Sequence, residues 1–321
     1  MLSFLRLALG IAALAIVTCG TASAQYPSRP VRLVVGFAAG GPTDIFARRL
    51  AQTLSERLGQ QVIIENKPGA TGNIATEYVI NQPPDGHTLL VAATSNAINM
   101  TFHSKLSFNF LRDVQPVAGL ARINYIVTLN PSVPAKAVAE FIAYAKANPD
   151  KINFASGGIG SSSQLSTEMF KVLTGTKLVH VPYRGNAAAY ADVISGQVQL
   201  IFADVGSVRP HVQSGALRGI AVTSAKRMPG FPDMPTVGET VPGYEAYAWY
   251  GFVAPKGTPA DIVEKLNREI NASLNDPQLK ARFAELEGEP MVFSIAEFTR
   301  FIASEAERWG EAVKASGVKG D

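Results

Sequence analysis

The chain has 321 residues, of which 47% are hydrophobic and 17% charged, with a formal net charge of +3. So small a balance points to no class of partner, and without a basic run or a basic-aromatic stripe it argues against nucleic acid. A chain of this length exceeds what one core comfortably serves, so two lobes of about 100–150 residues each are expected.

Arg6 precedes the apolar stretch "LALGIAALAIVT", which leads to Ala22, Ser23 and Ala24 ahead of Gln25. This is the layout of a secretory signal peptide over residues 1–24 with cleavage after Ala24. The apolar run is shorter than the ~20 residues of a spanning helix, and no basic stop-transfer cluster follows it. Loss of Arg6 takes the formal charge from +3 to +2. Cys19 is the sole cysteine; Thr18 before it and the A-x-A site after it argue against a lipid-accepting role. The mature chain then has no cysteine, which excludes disulfides, thiolate nucleophiles and cysteine metal sites together.

After the tether "YPSRP", "VRLVVGF" reads as a strand. "PTDIFARRLAQTLSERLG" reads as a helix, with Phe46, Leu50, Leu54 and Leu58 four apart. Gly41 suits the cap, Pro42 the first helical position, Asp44 the first turn and Gly59 the end. "QVIIEN" with "GNIATEYVINQ", then "HTLLVAAT" with a polar segment, repeat the alternation that predicts a largely parallel sheet.

A second set runs "FIAYAKANPD" (helix), "KINFAS" (strand), "GGIGSSSQLSTEMFKVLTG" (loop and helix), "KLVHVPY" (strand), "AAAYADVISG" (helix), and the strands "VQLIFAD" and "LRGIAVT". The proline-rich "MPGFPDMPTVGETVPGY" reads as an ordered surface loop, and "AYAWYGFVAP" as a strand. Helices begin at Thr258 with Pro259 and Asp261, and at Ser294 with Glu297 in a capping-box pattern. The chain is therefore expected to return to the first lobe, with crossings near "ARINYIVTL" and "AYAWYGF". No tandem repeat or low-complexity tract interrupts this order.

Catalytic sets are missing. There is no G-x-S-x-G and no H-E-x-x-H, and His87, His103, His180 and His211 lie far apart without metal-ligand spacing. Gly36, Gly40 and Gly41 form G-x-x-x-G-G, which is neither nucleotide fingerprint, and Asp44 would repel a polyphosphate. "SGGIGSSSQL" holds only a lone G-x-G.

What remains is a set of strand ends that deliver hydroxyl-bearing or amide-rich loops: 37–43, 94–96, 156–163, 183–186 and 203–207. In a parallel α/β sheet these gather at the carboxyl ends of the strands, where ligands bind. A small carboxylate suits them. A hydrogen bond to a charged group is worth about 1.5–3 kcal/mol, and a helix start adds ~0.3–2 kcal/mol for an anion. Arg184 in "YRGN" is placed either to add charge or to sit solvated at a helix start.

The blocks "YPSRPVRLVVGFAAGGPTDIFAR", "VIIENKPGATGNIATEYVINQPPDGHTLL", "VPYRGNAAAYADVISGQVQLIF", "GALRGIAVTSAKRMPGFPDMPTVGE" and "GFVAPKGTPADIVEKLN" occur in order over the whole mature chain. The chain thereby resembles the Bug or TctC family, the periplasmic substrate-binding component of the tripartite tricarboxylate transporters. The resemblance implies an α/β, two-lobed, type II-like binding protein, each lobe a mainly parallel sheet flanked by helices. Two hinge crossings would join lobe 1 (25–123 and 250–321) to lobe 2 (124–249).

It also implies ligand contacts at Phe37, Ala39, Gly40, Gly41, Thr43 and Asp44 in the first-lobe loop. Thr94, Ser95 and Asn96 join these from the loop readings above. In the second lobe the expected set is Ser156, Gly160, Ser161, Ser162, Gln164, Tyr183, Gly185, Asn186 and Asp204. No catalytic residue, metal or cofactor is expected. The sequence departs from the family pattern at Gly36, where proline is usual, and at Gln164, where histidine is common.

The function so implied is a monomeric periplasmic receptor that captures a small carboxylate and delivers it to membrane transporter subunits. A second reading is a ligand-dependent co-sensor docking on the ectodomain of a two-component sensor kinase. A third, the weakest, is an exported serine hydrolase using Ser161 or Ser162.

Overall fold

The computed structural model describes residues 26–320, so the expected signal peptide, Cys19 included, lies outside the described residues. Strand β1 (Val31–Val35) leads into helix α1 (Pro42–Leu58), whose N-cap is Gly41. Phe46, Leu50, Leu54 and Leu58 are all buried. Gly59 ends the helix at φ 66°, its N–H donated to the Ser55 carbonyl, a left-handed cap that glycine adopts without steric cost. Strand β2 (Val62–Asn66), helix α2 (Asn73–Ile80), strand β3 (Thr88–Ala93) and helix α3 (Thr94–Phe102) complete the first α/β unit.

The 16-residue strand β4 (Val114–Leu129) carries the chain into the second unit. There follow α4 (Val138–Ala147), β5 (Asn153–Ser156), α5 (Ser162–Thr174), β6 (Val179–Pro182), α6 (Tyr190–Ser195), β7 (Leu200–Asp204), α7 (Val205–Gln213) and β8 (Arg218–Val222). Strand β9 (Tyr247–Pro255) returns the chain. It is followed by α8 (Ala260–Leu274), α9 (Pro277–Ala284), β10 (Gly288–Pro290) and α10 (Ile295–Ser316).

The strands form one path, β2-β1-β3-β9-β4-β7-β5-β6, with β8 and β10 added on β4. Parallel pairing is confined to β2-β1-β3 and β6-β5-β7, and the crossing strands join them antiparallel, so each sheet is mixed. β4 belongs to both sheets. Val114–Asn124 pair with β9, and Tyr125–Leu129 pair with β7. Both crossings expected from sequence therefore fall on long, hydrogen-bonded strands.

Some local details differ from expectation. Pro259, not Thr258, caps α8, because the Thr258 hydroxyl donates 2.8 Å back to the Pro255 carbonyl. The short strand β10 and helix α9, the latter capped by Asp276, were not legible as elements. The segments 94–96 and 203–207 are not loops, since β3 runs directly into α3 and β7 directly into α7. The Ser294–Glu297 capping box is present in full.

The proline-rich stretch is ordered by buried anchors at Met228, Val237, Val241 and Tyr244. The C-terminal helices return to the first lobe: α8 lies on α1 and α10 on α3. In the second lobe Phe141, Phe154, Phe170 and Phe202 are fully buried. Among the described residues no helix is long and apolar enough to cross a membrane.

Candidate functional site

The loop between β1 and α1 turns at Ala38, whose carbonyl accepts the Gly41 N–H at 3.4 Å. Ala39 and Gly40 are exposed at its tip, whereas Thr43 and Asp44 are buried in the first helical turn. Asp44 is a strut of the loop. Its Oδ2 accepts from Gly40 N and Arg48 Nε, each at 2.9 Å, and its Oδ1 from Asn66 Nδ2 at 2.9 Å. Burial raises the Asp44 carboxyl, but the bonds from Arg48, Gly40 and Asn66 outweigh it and hold it below the usual carboxylate range. Asn66 also donates to the Phe37 carbonyl at 3.0 Å, which ties the loop to β2.

Gly36 has a packing reason. A Cβ there would lie 2.8 Å from Gly72 Cα and 3.2 Å from Ala75 Cβ, so the strand end and the turn before α2 meet through glycine. Gly72 in turn is ringed by Ser95 Oγ, Asn96 Nδ2 and Phe37 Cε2, each 3.7–3.8 Å from the place a Cβ would take. Thr94 and Asn96 are used internally: Thr94 Oγ1 accepts from Trp249 N at 2.7 Å, and Asn96 accepts from Ala93 N and donates to Thr76 Oγ1. Ser95 Oγ, on a residue only 4% exposed, has no hydrogen-bond partner among the described residues. It is a free donor beside the Phe37 ring at the start of α3.

The second-lobe loop is held by neutral side chains, with one carboxylate, Asp204, behind them. Ser156 Oγ meets His180 Nε2 at 2.6 Å and accepts from Gly158 N at 3.2 Å. Burial and then Lys171 push His180 down to about 4, so the imidazole is neutral. Ser161 caps α5 by accepting from Gln164 N, and Gln164 Oε1 accepts from Gly160 N at 2.7 Å. Ser163 Oγ accepts from Gly157 N and donates to Asn186 Oδ1 at 2.9 Å, while Asn186 Nδ2 reaches Asp204 Oδ2 at 3.0 Å. Gly185, at φ 98°, donates its N–H to the Gly157 carbonyl. Tyr183 is turned away, its hydroxyl donating to Asp192 at 2.6 Å; burial and that carboxylate raise it to about 12.

Sequence reasoning missed two tyrosines, one on each crossing strand and one beside each helix start. Tyr125 on β4 meets Ser162 Oγ, at the start of α5, at 2.7 Å. Tyr250 on β9 lies near the side chain of Thr43, at the start of α1. Burial, with the Asp204 charge, raises both phenols far above their usual value, so both stay neutral donors. Each looked like a core residue of an apolar strand; a tyrosine on each crossing strand was the only available signal.

At the rim the lobes touch. Thr71 Oγ1 donates to the Ile159 carbonyl at 2.8 Å, from a turn in which Ala70 and Thr71 take φ 45° and 50°. A Cβ on Gly160 would lie 3.2 Å from the Phe102 ring and 3.3 Å from Asn99 Oδ1. On the opposite side Arg209 of α7 pairs with Glu287. The second-lobe loop is thus set against α3 and the turn before α2, while Arg184 is exposed.

Ser161 and Ser162 hydroxyls face Ser163 and Tyr125 rather than an imidazole. Among the described residues no cluster of three or more His, Cys, Asp or Glu is placed to hold a metal.

The profile of the tripartite tricarboxylate transporter family receptor matches residues 46–318. The chain is 34% identical to Protein BugT of Bordetella pertussis, over 92% of this chain and 91% of the relative. Among solved structures it is similar to R. palustris Rpa4515 with adipate, with TM-score 0.85 and 36% identity over 92% of this chain and 99% of that one. It is also similar to MatC (Rpa3494) from Rhodopseudomonas palustris with bound malate, with TM-score 0.81 and 31% identity over 90% of this chain and 100% of that one.

Proposed function

The chain belongs to the tripartite tricarboxylate transporter receptor family, and from that premise we propose that it is a non-catalytic periplasmic receptor. It captures a small organic carboxylate between its lobes and delivers it to the membrane subunits of a tripartite transporter. The observation that carries this reading is the contact between the lobes at the loop before α5, where Thr71 Oγ1 donates to the Ile159 carbonyl and Gly160 lies against Phe102 and Asn99 of α3. Helix starts favour anions, and Ser95 adds a buried hydroxyl with no partner among the described residues. Three or four such donors, each worth about 1.5–3 kcal/mol to a charged group, supply a large share of the ~8 kcal/mol of a micromolar complex. Adipate and malate in the two similar structures support a small carboxylate.

Residues 25–123 with 250–321 form one moving lobe and 124–249 the other, hinged on β4 and β9. A ligand that touches both lobes favours the closed form, because only differential affinity shifts such an equilibrium. With residues 1–24 removed on export, the receptor acts in the periplasm. Isothermal titration with a panel of carboxylates, beside the matching amides and esters, tests the reading. Micromolar binding of acids alone is the expected result, and equal binding of the uncharged controls overturns it.

A further inference from the structure

Asp204 ends β7 beside the second-lobe loop, linked to it through Asn186 and Ser163, and is 8% exposed. Its Oδ2 is held by Asn186 Nδ2 at 3.0 Å. No cationic side chain among the described residues pairs with it. The titratable groups that feel its charge come from three other elements, Tyr125 on β4, Tyr190 on α6 and Tyr250 on β9, all neutral phenols. On its own helix, Arg209 is turned to Glu287. A buried carboxylate without a cation is costly, and in an anion-binding cleft it also repels the second carboxylate of an unsubstituted diacid.

We propose that Asp204 is the specificity-determining acceptor of the cleft, selecting carboxylates that also carry a hydroxyl or ammonium donor. Resting on the receptor reading above, the assignment gives the uncompensated carboxylate its missing partner: the ligand's carboxylate takes the helix-start donors while its donor group bonds Asp204. Burial raises the Asp204 carboxyl to about 6, against the smaller opposing effect of Asn186. The acceptor is therefore ionised above that value and lost below it.

The test is isothermal titration of matched acids, at about pH 8 and again at about pH 5. The pairs are succinate against malate and aspartate, adipate against aminoadipate, and hydrocinnamate against phenyllactate. The donor-bearing acid of a binding pair is expected to bind about 10- to 100-fold more tightly at the higher pH. That preference is expected to shrink at the lower pH and in Asp204→Asn, most for the ammonium-bearing acids. Equal affinity within the pairs, or a preference that grows on acidification, overturns the assignment while leaving the receptor reading intact. Binding of no carboxylate at all overturns the receptor reading and the assignment with it. Should Asp204→Asn fail to fold, the wild-type pH comparison decides alone.

Discussion

The first-lobe loop is braced by an ion pair and the second-lobe loop by neutral groups. In the first, Asp44 gathers Arg48, Gly40 and Asn66, and its charge is spent inside the lobe. In the second, Ser156 with neutral His180, Gln164 with Gly160, and Ser163 with Asn186 do the same work through neutral side chains, with the Asp204 carboxylate behind Asn186. The contrast shows how an anion site tolerates a buried carboxylate at a helix start. Arg48 and the two neutral donors offset its field locally, so the start of α1 keeps the partial positive charge that the proposed function calls on.

Removing the ionic brace gives the largest change. Asp44→Ala takes from Gly40 N its acceptor and from Asn66 Nδ2 one of its two, the Phe37 carbonyl remaining, and a loss of about 2 kcal/mol is expected in urea unfolding at neutral pH. Arg48 is half-exposed and contributes little to that figure. Because the folded-state pKa of Asp44 is depressed, its contribution is present above the unfolded value of about 3.9 and is lost as pH falls through the folded value. The wild-type and variant stability curves should therefore converge in acid. Curves that stay parallel below that range would mean the brace is not ionic.

Ser95→Ala separates binding from bracing. No protein bond is lost, so stability should hold within about 0.5 kcal/mol, whereas carboxylate affinity measured by titration should fall about 10-fold or more. Unchanged affinity would remove Ser95 from the site.

Gln164→Ala removes the acceptor of the buried Gly160 N–H. It should cost about 1–2 kcal/mol in thermal unfolding, with a smaller loss of affinity than Ser95→Ala. Gln164→His should recover part of the stability if the imidazole nitrogen accepts that N–H, a comparison that also probes the departure from the family pattern.

Much of this was legible in the chain because it is written in short-range patterns. The buried row Phe46, Leu50, Leu54 and Leu58, the Gly41 and Gly59 ends of α1, and the Ser294–Glu297 box all depend on neighbours within one or two turns. The strand and helix alternation, and the collection of hydroxyl-rich segments at strand ends, follow from the same local rules.

The roles of those residues were not legible, because a hydrogen-bond partner is chosen by three-dimensional proximity. Whether Asp44 faces a ligand or Asn66, 22 positions away, whether Thr94 is free or held by Trp249, 155 positions away, and whether Gln164 reads an anion or its own loop all depend on packing. The sequence by itself determined the α/β order, the helix starts and the polar chemistry of the cleft. Tertiary structure alone decided that Tyr125 meets Ser162, that Thr71 reaches across to Ile159, and that among the described residues Ser95 is left unpaired and Asp204 lacks a cation. Those facts arise where β4 and β9 bring distant segments together, and a linear pattern carries no record of which donors such a meeting leaves unsatisfied.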